Sequence, residues 1–203
     1  MTGSLYVISA PSGAGKTSLV HALLQREPRL ALSTSHTTRT RRPTEQDGRE
    51  YHFVSIPEFE RMIEARAFLE HAKVFDNYYG TGRAQIDAFR DTGRDVVLEI
   101  DWQGARQVRA SCPDCHSVFV LPPSRDALRE RLQARRTDSA DVIERRLRDA
   151  VFDMGHYAEF DSVVVNEVFD DAVDDLRRIV AGDGSAYGAG RDSLRPLLAH
   201  LLG

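Results

Sequence analysis

One stretch constrains this 203-residue chain more than any other: Ala10-Pro11-Ser12-Gly13-Ala14-Gly15-Lys16-Thr17. An apolar run, Leu5 to Ile8, precedes it, and an amphipathic segment, Ser18 to Leu24, follows. Buried strand, glycine turn and helix start, in that order, make the context of a phosphate-binding loop. Backbone N–H groups of such a loop point inward, and the helix N-terminus adds the positive end of its dipole, so together they hold a polyphosphate. Lys16 is expected to reach the outer phosphates and Thr17 to offer its hydroxyl to Mg²⁺. Ala10 stands where the pattern usually begins with Gly, which strand-like dihedrals permit.

A hydrophobic share of 41% and a charged share of 29% suit a soluble globular chain, one domain with room for inserted subdomains. The formal net charge of −4 gives no general attraction for nucleic acid or for anionic membranes. No apolar run reaches the length of a membrane span, and Met1-Thr2-Gly3-Ser4 lacks the basic and apolar regions of a signal peptide. A cytoplasmic location is expected. Cys112-Pro113-Asp114-Cys115-His116 matches a haem-attachment pattern and could also suggest a redox pair or half a zinc site. Haem attachment needs export, and zinc needs two further ligands that no second Cys pair or spaced His pair supplies. A polar loop ahead of a strand is the better reading, with a reversible disulfide left open.

Along the chain, Leu30 to Thr34 reads as a short strand, followed by Ser35-His36-Thr37-Thr38-Arg39-Thr40-Arg41-Arg42-Pro43. Arginines among small hydroxyl residues in a net acidic chain favour a second phosphate site over a solvated basic loop. Tyr51 to Val54 alternates like a strand, Pro57 to Ala67 has helical spacing, and Phe68 to Phe75 reads as another strand. Asn77-Tyr78-Tyr79-Gly80-Thr81 is expected to form a turn before a helix through Phe89. Asp95-Val96-Val97-Leu98-Glu99-Ile100-Asp101 is a buried parallel strand whose tip carries carboxylates, the place where an acid orients Mg²⁺ or its water shell. After the strand Val118 to Leu121, Ser124 caps a helix from Arg125 to Arg136, Thr137-Asp138-Ser139 turns, and a second helix carries Ile143, Leu147, Val151 and Met154. Two such arginine-bearing helices read as a lid. Val163 to Asn166 is the last strand and Asp170 to Ala181 a helix; Gly182 to Gly190 reads as a linker. Leu194, Leu197, Leu198, Leu201 and Leu202 form a stripe that must bury against its own core or a neighbouring copy, so a homo-oligomer stays open.

Taken together, the loop from Ser12 to Thr17, the Ser35-to-Arg42 loop, Gly48-x-x-Tyr51-x-Phe53, Phe68-Leu69-Glu70, Asn77-Tyr78-Tyr79-Gly80 and Ile100-Asp101-Trp102-Gln103-Gly104 resemble the guanylate kinase family, from about Leu5 to about Ala181. The resemblance implies an α/β fold: a three-layer P-loop core with a parallel sheet (3–34, 91–124 and 151–183), an inserted GMP-binding subdomain (35–90) and a helical lid (125–150); the linker with its amphipathic tail (184–203) lies outside it. Arg41, Thr44, Glu99 and Arg136 depart from residues usual in that family, Pro, Gly, Asp and Gly respectively.

The resemblance further implies direct in-line transfer of the γ-phosphoryl of ATP to GMP or dGMP, with Mg²⁺. ATP falls to Ala10, Pro11, Ser12, Gly13, Ala14, Gly15, Lys16, Thr17 and Ser18, with Arg135 and, toward adenine, Asn166. The GMP phosphate falls to Ser35, Arg39, Arg42, Tyr51 and Tyr79, beside Gly80; guanine falls to Glu70, with Thr81 and Asp101 near the base. Thr17, Glu99 and Asp101 are the metal residues, partly through water, and Lys16, Arg39, Arg42, Arg135 and Arg146 the catalytic cations. Guanine's N1–H and 2-amino group are two adjacent donors that one carboxylate accepts together, whereas adenine turns a lone pair toward it. Two rival readings are a phosphopeptide-binding module of the same fold without catalysis, which an intact Lys16-Thr17 disfavours, and a same-fold kinase of a phosphorylated sugar, which Glu70 and the tyrosines disfavour.

Overall fold

The computed structural model of the chain describes residues 2–74, 76–134 and 140–203. From the amino terminus run β1 (Leu5–Ser9), α1 (Lys16–Arg26), β2 (Leu30–Leu32), β3 (His36–Thr37), β4 (His52–Phe53) and α2 (Ile56–Glu64). Next come β5 (Phe68–Val74), β6 (Asn77–Gly82), α3 (Arg83–Asp91), β7 (Asp95–Glu99) and α4 (Trp102–Ser111). The carboxy-terminal part adds β8 (His116–Leu121), α5 (Arg125–Ala134), α6 (Ala140–Met154), β9 (Ser162–Val165), α7 (Phe169–Val180) and α8 (Arg195–Leu202). The chain divides into two compact units, one of Met1–Leu5, Arg29–Leu98 and Gln103–Cys115, the other of Tyr6–Pro28, Glu99–Trp102 and His116–Gly203. Among the described residues, no helix is long and apolar enough to cross a membrane.

In the first unit β2 and β7 pair in parallel, and a four-stranded sheet runs in the order β4-β3-β6-β5. The turn expected at Asn77 to Thr81 is instead strand β6, antiparallel to β5. Asn and Gly suggest reversal locally, but Tyr78, Tyr79 and Thr81 find partners across the ladder, and pairing outweighs turn propensity. Phe59 of α2, fully buried, stacks on Phe68 at 4.4 Å and on Tyr78 at 5.3 Å between centroids. Gly80 sits under this aromatic stack: a Cβ there would lie 2.9 Å from Phe68 Cδ1 and 3.0 Å from Phe59 Cζ. Gly80→Ala is therefore expected to cost about 1–3 kcal/mol and to lower the thermal midpoint by roughly 3–10 °C. A midpoint shifted by less than about 1 °C would show that the rings yield freely.

β5 also carries a bulge between Phe68 and Glu70. An unbroken ladder continuing from Phe68 opposite Gly82 would set Glu70 against Gly80; the extra residue sets it against Thr81. Phe68, Leu69 and Glu70 are all buried in succession, which a regular two-sided strand would not do. Cys112 and Cys115 are both free thiols, in the loop that leads to β8.

In the second unit β1, β8 and β9 lie side by side, all parallel, with Ile8 opposite Val118 and Val120 opposite Val164. Their near-continuous apolar runs are buried apart from His116 at the start of β8 and Val165 at the end of β9, as strands covered on both faces require. α7 packs on α1 and on β9, and the Tyr6 hydroxyl donates to Val180 O at 3.0 Å.

The Gly-rich segment expected as a linker is tied into this unit. Gly182, at φ +88°, takes the left-handed position that ends α7, and Asp183 N donates to Arg178 O. Tyr187 is buried with its hydroxyl donating to Asp175 at 2.7 Å, Gly188 bridges to Ser162, and Arg191 Nη1 donates to Val163 O at 2.9 Å. The leucine tail then folds back as α8 on α6, with Leu194, Leu198 and Leu201 buried and Arg125 Nε donating to Leu201 O. Each such leucine contributes about 1.5–3 kcal/mol of burial.

Candidate active site

In the second unit the chain leaves β1 at Ser9 and enters α1 through Gly15. Gly13 and Gly15 have φ of +90° and +93°, which L side chains disfavour. A Cβ on Gly13 would also meet Leu128 Cδ1 at 2.9 Å, and one on Gly15 would meet Asn166 Nδ2 at 2.5 Å. No side chain caps the start of α1 and no acid occupies its first turn, so its leading amides and dipole face an incoming anion.

Ala10, Pro11, Ser12, Gly13, Gly15, Lys16, Thr17 and Ser18 line a cavity of about 340 Å³ together with Asp101 and Asp153. Ala14 is buried behind it, its carbonyl accepting from Asn166 Nδ2 at 2.7 Å and from Arg131 Nη1 at 3.3 Å. Lys16 Nζ donates to Ile100 O at 2.7 Å, and the Thr17 hydroxyl donates to Glu99 Oε1. Asp153 accepts from the indole of Trp102 at 3.0 Å. Burial, opposed by that hydrogen bond and helped by the charges of Asp101 and Asp149, raises its carboxyl above the usual range. On the far side of Gly13 and Gly15 a second hollow of about 290 Å³ is lined by Ser18, Arg131, Asn166, Glu167 and Phe169.

The first unit gathers a different set. Glu70 is buried, 6% exposed, and its Oε1 accepts from the Thr81 hydroxyl at 2.5 Å. Arg39 lies over the rings of Tyr51 and Phe53, at 5.5 and 5.7 Å from their centroids, and Tyr51 meets Tyr79 edge-on at 5.9 Å. Arg39 Nη2 donates to Glu45 Oε1 at 2.7 Å, and Glu45 Oε2 accepts from Arg42 N at 2.8 Å. That ion pair holds the Arg39 guanidinium above its usual range and the Glu45 carboxyl below its own. The Arg42 side chain is exposed; Ser35 is half-buried, its carbonyl accepting from His52 N at 2.9 Å.

A buried carboxylate fixed by a hydroxyl, on the same sheet as Tyr79 of the cationic and phenolic cluster, suits a ligand with adjacent N–H donors and a phosphate. The cradle in the other unit suits a polyphosphate. Compared with known proteins, residues 2–182 match the family model described as guanylate kinase. The chain belongs to the guanylate kinase family. It is 55% identical to the guanylate kinase of Chromohalobacter salexigens over 200 residues, covering 98% of this chain and 93% of that one. Identity to the guanylate kinase of Methylococcus capsulatus is 56%, covering 99% and 98%. The crystal structure of guanylate kinase from Anaplasma phagocytophilum superposes with a TM-score of 0.74 at 32% identity, covering 97% of this chain and 94% of that one.

Set beside the expectations for a guanylate kinase, the structure bonds Lys16 to Ile100 O and Thr17 to the neighbouring Glu99, in two separate hydrogen bonds at the end of β7. Asp101, expected both at the metal and near the base, lines the cavity with Lys16 and Thr17. Asn166, expected toward adenine, gives its amide N–H to Ala14 O and braces the loop from behind. Arg146 lies half-buried on α6. Arg135, with Arg136 and the turn Thr137-Asp138-Ser139, lies outside the described residues, as does Phe75. Sequence reasoning missed Arg131, Asp153 and Glu45. Arg131 reads locally as one more surface arginine; its neighbour Leu132, which packs against Gly13, was the available signal.

Proposed function

We propose that this guanylate kinase passes the γ-phosphoryl of ATP to GMP or dGMP in the cytoplasm, the acceptor being held by residues of 35–90, the donor by the P-loop, and the transferred group by a lid over 125–150. The observation that carries the acceptor's identity is Glu70, buried and oriented by Thr81. A carboxylate offers only acceptors, so it receives guanine's two N–H groups and meets adenine's N1 lone pair with repulsion. Sites that hold such a buried polar pairing discriminate by about 10⁴–10⁵.

The acceptor phosphate, with a second pKa of about 6, is already ionised at neutral pH, so no general base is needed. The task is to bring two anions together. Arg39 and Arg42, with Ser35, Tyr51 and Tyr79, hold the acceptor phosphate; Lys16, Arg135 and Arg146 hold the donor and the transferred group. On this reading Glu45 keeps the Arg39 loop ordered and exchanges its place for the phosphate.

The donor set suits Mg²⁺. That ion takes one or two protein oxygens and completes its shell with phosphate oxygens and water. Thr17 and Asp101 line the cavity and Glu99 accepts from the Thr17 hydroxyl, so these three would hold the ion, directly or through water. Among the described residues no group of three or more His, Cys, Asp or Glu converges to hold a metal. When bound, it neutralises charge on the β- and γ-phosphate oxygens.

An ADP-release assay across GMP, dGMP, AMP, CMP and UMP tests the reading. GMP and dGMP should be turned over, AMP at less than about 10⁻³ of the GMP rate, and chelation of divalent cations should abolish the signal. Equal turnover of AMP and GMP would remove the assignment.

A further inference from the structure

Beside the phosphate cavity, the chain's single tryptophan meets the end of α6 within the second unit. Trp102 follows Asp101 directly. Its Nε1–H donates to Asp153 Oδ1 on α6 at 3.0 Å. Its ring also lies flat on the imidazole of His156, with centroids 3.5 Å apart and planes 8° from parallel. His156 in turn holds Glu159 through Nδ1 at 2.7 Å, and Phe152 meets both Trp102 and His156 edge-on. One directional bond and one flat stack therefore fix a single indole against the end of α6 from two sides.

Asp153 and Asp101 line the same cavity as Lys16 and Thr17. Asp153 also stands seven residues after Arg146, two helical turns along the same face of α6. Fixing Asp153 thus sets the rotation of α6 about its axis, and every residue on that face inherits the setting. Phenylalanine would fill the space and keep the stack; only tryptophan adds the N–H that selects one rotation. We propose that Trp102 is a positioning residue that couples α6 to the phosphate cavity and so sets where Arg146 is presented to the nucleotide. This rests on the nucleotide reading given above. Because the joint borders the cavity, the indole's surroundings change when ATP fills it.

The test uses Trp102→Phe, Asp153→Ala, Asp153→Asn and the double variant Trp102→Phe/Asp153→Ala. Trp102→Phe and Asp153→Ala should each lower kcat roughly tenfold, with the KM for GMP within about twofold of the parent. Asp153→Asn keeps an oxygen acceptor for the indole and should stay within about threefold, while the double variant should be no worse than either single one. Trp102 emission in the parent should shift on saturation with the β,γ-imido analogue of ATP and Mg²⁺, and should not shift in Asp153→Ala. Calorimetry with the same analogue decides the underlying reading separately: absence of binding by the parent protein would refute nucleotide binding itself. With binding intact, the positioning role is overturned by an emission that does not move. It is equally overturned by single effects that multiply in the double variant, or by an Asp153→Asn as poor as Asp153→Ala. A lowered melting midpoint with kcat unchanged would leave Trp102 a packing residue and overturn it too.

Discussion

Lys16→Ala should reduce kcat by at least about 10³-fold, some 4 kcal/mol of transition-state stabilisation, while the affinity for GMP stays close to that of the parent. Lys16 is the cation placed at the head of α1 by the glycine loop, and its ammonium has three donors, one already given to Ile100 O. On the proposed reading this ammonium meets charge that grows on the phosphate oxygens as transfer proceeds, so the loss falls on kcat more than on ground-state binding. GMP affinity should persist because the residues proposed to hold the acceptor, Glu70, Thr81, Arg39 and Tyr79, belong to the other unit. Steady-state kinetics at saturating ATP and Mg²⁺, with GMP binding followed by calorimetry, checks both halves. A kcat within tenfold of the parent would mean the cradle does not hold the reacting phosphates. The melting midpoint separates this from damage to the strand tip, where Ile100 O loses a partner.

Glu70→Gln should lower kcat/KM for GMP by about 10²-fold and narrow the preference for GMP over AMP by a similar factor. Glutamine has nearly the same shape, so packing around β5 is preserved. It replaces one acceptor with a donor, and either flip of the amide leaves one of guanine's two N–H groups without its partner. Adenine, with an acceptor at N1 and a donor at its 6-amino group, meets an amide better than a carboxylate. The measurement is kcat/KM for both acceptors in parent and variant under one set of conditions. A ratio that does not move would take Glu70 out of base recognition, whatever happened to the absolute rates.

How these residues come together shows which parts of the site a linear reading can reach. The P-loop is legible because its requirements are local: positive φ at Gly13 and Gly15, and a helix beginning at Lys16, are properties of consecutive residues. Glu99 at the end of β7 is legible for the same reason, an apolar run closing in acids. Glu70 is different. As a lone acid on a strand it has no local mark, and its pairing with Thr81 depends on a bulge that moves the register by one residue. The reading of Asn77 to Thr81 as a turn failed because Asn and Gly carry turn propensity whatever lies across from them, whereas a strand partner exists only in three dimensions. The Gly-rich segment after α7 misled in the same way: Gly182 is a helix stop, and Tyr187 and Arg191 bind the following residues back through contacts that composition cannot report.

By itself, then, the amino-acid order determined the phosphate cradle, the parallel strands and the helical stripes, because each depends on backbone conformation and on periodicity within a dozen residues. Packing in three dimensions settles that Asn166 and Arg131 brace Ala14, that Glu45 holds Arg39, that the leucine tail returns to α6, and that Trp102 meets Asp153 and His156. Those are hydrogen bonds and contacts between segments mostly far apart along the chain. Their strength depends on a distance and a direction that no spacing of residues specifies until the sheet and its helices have packed.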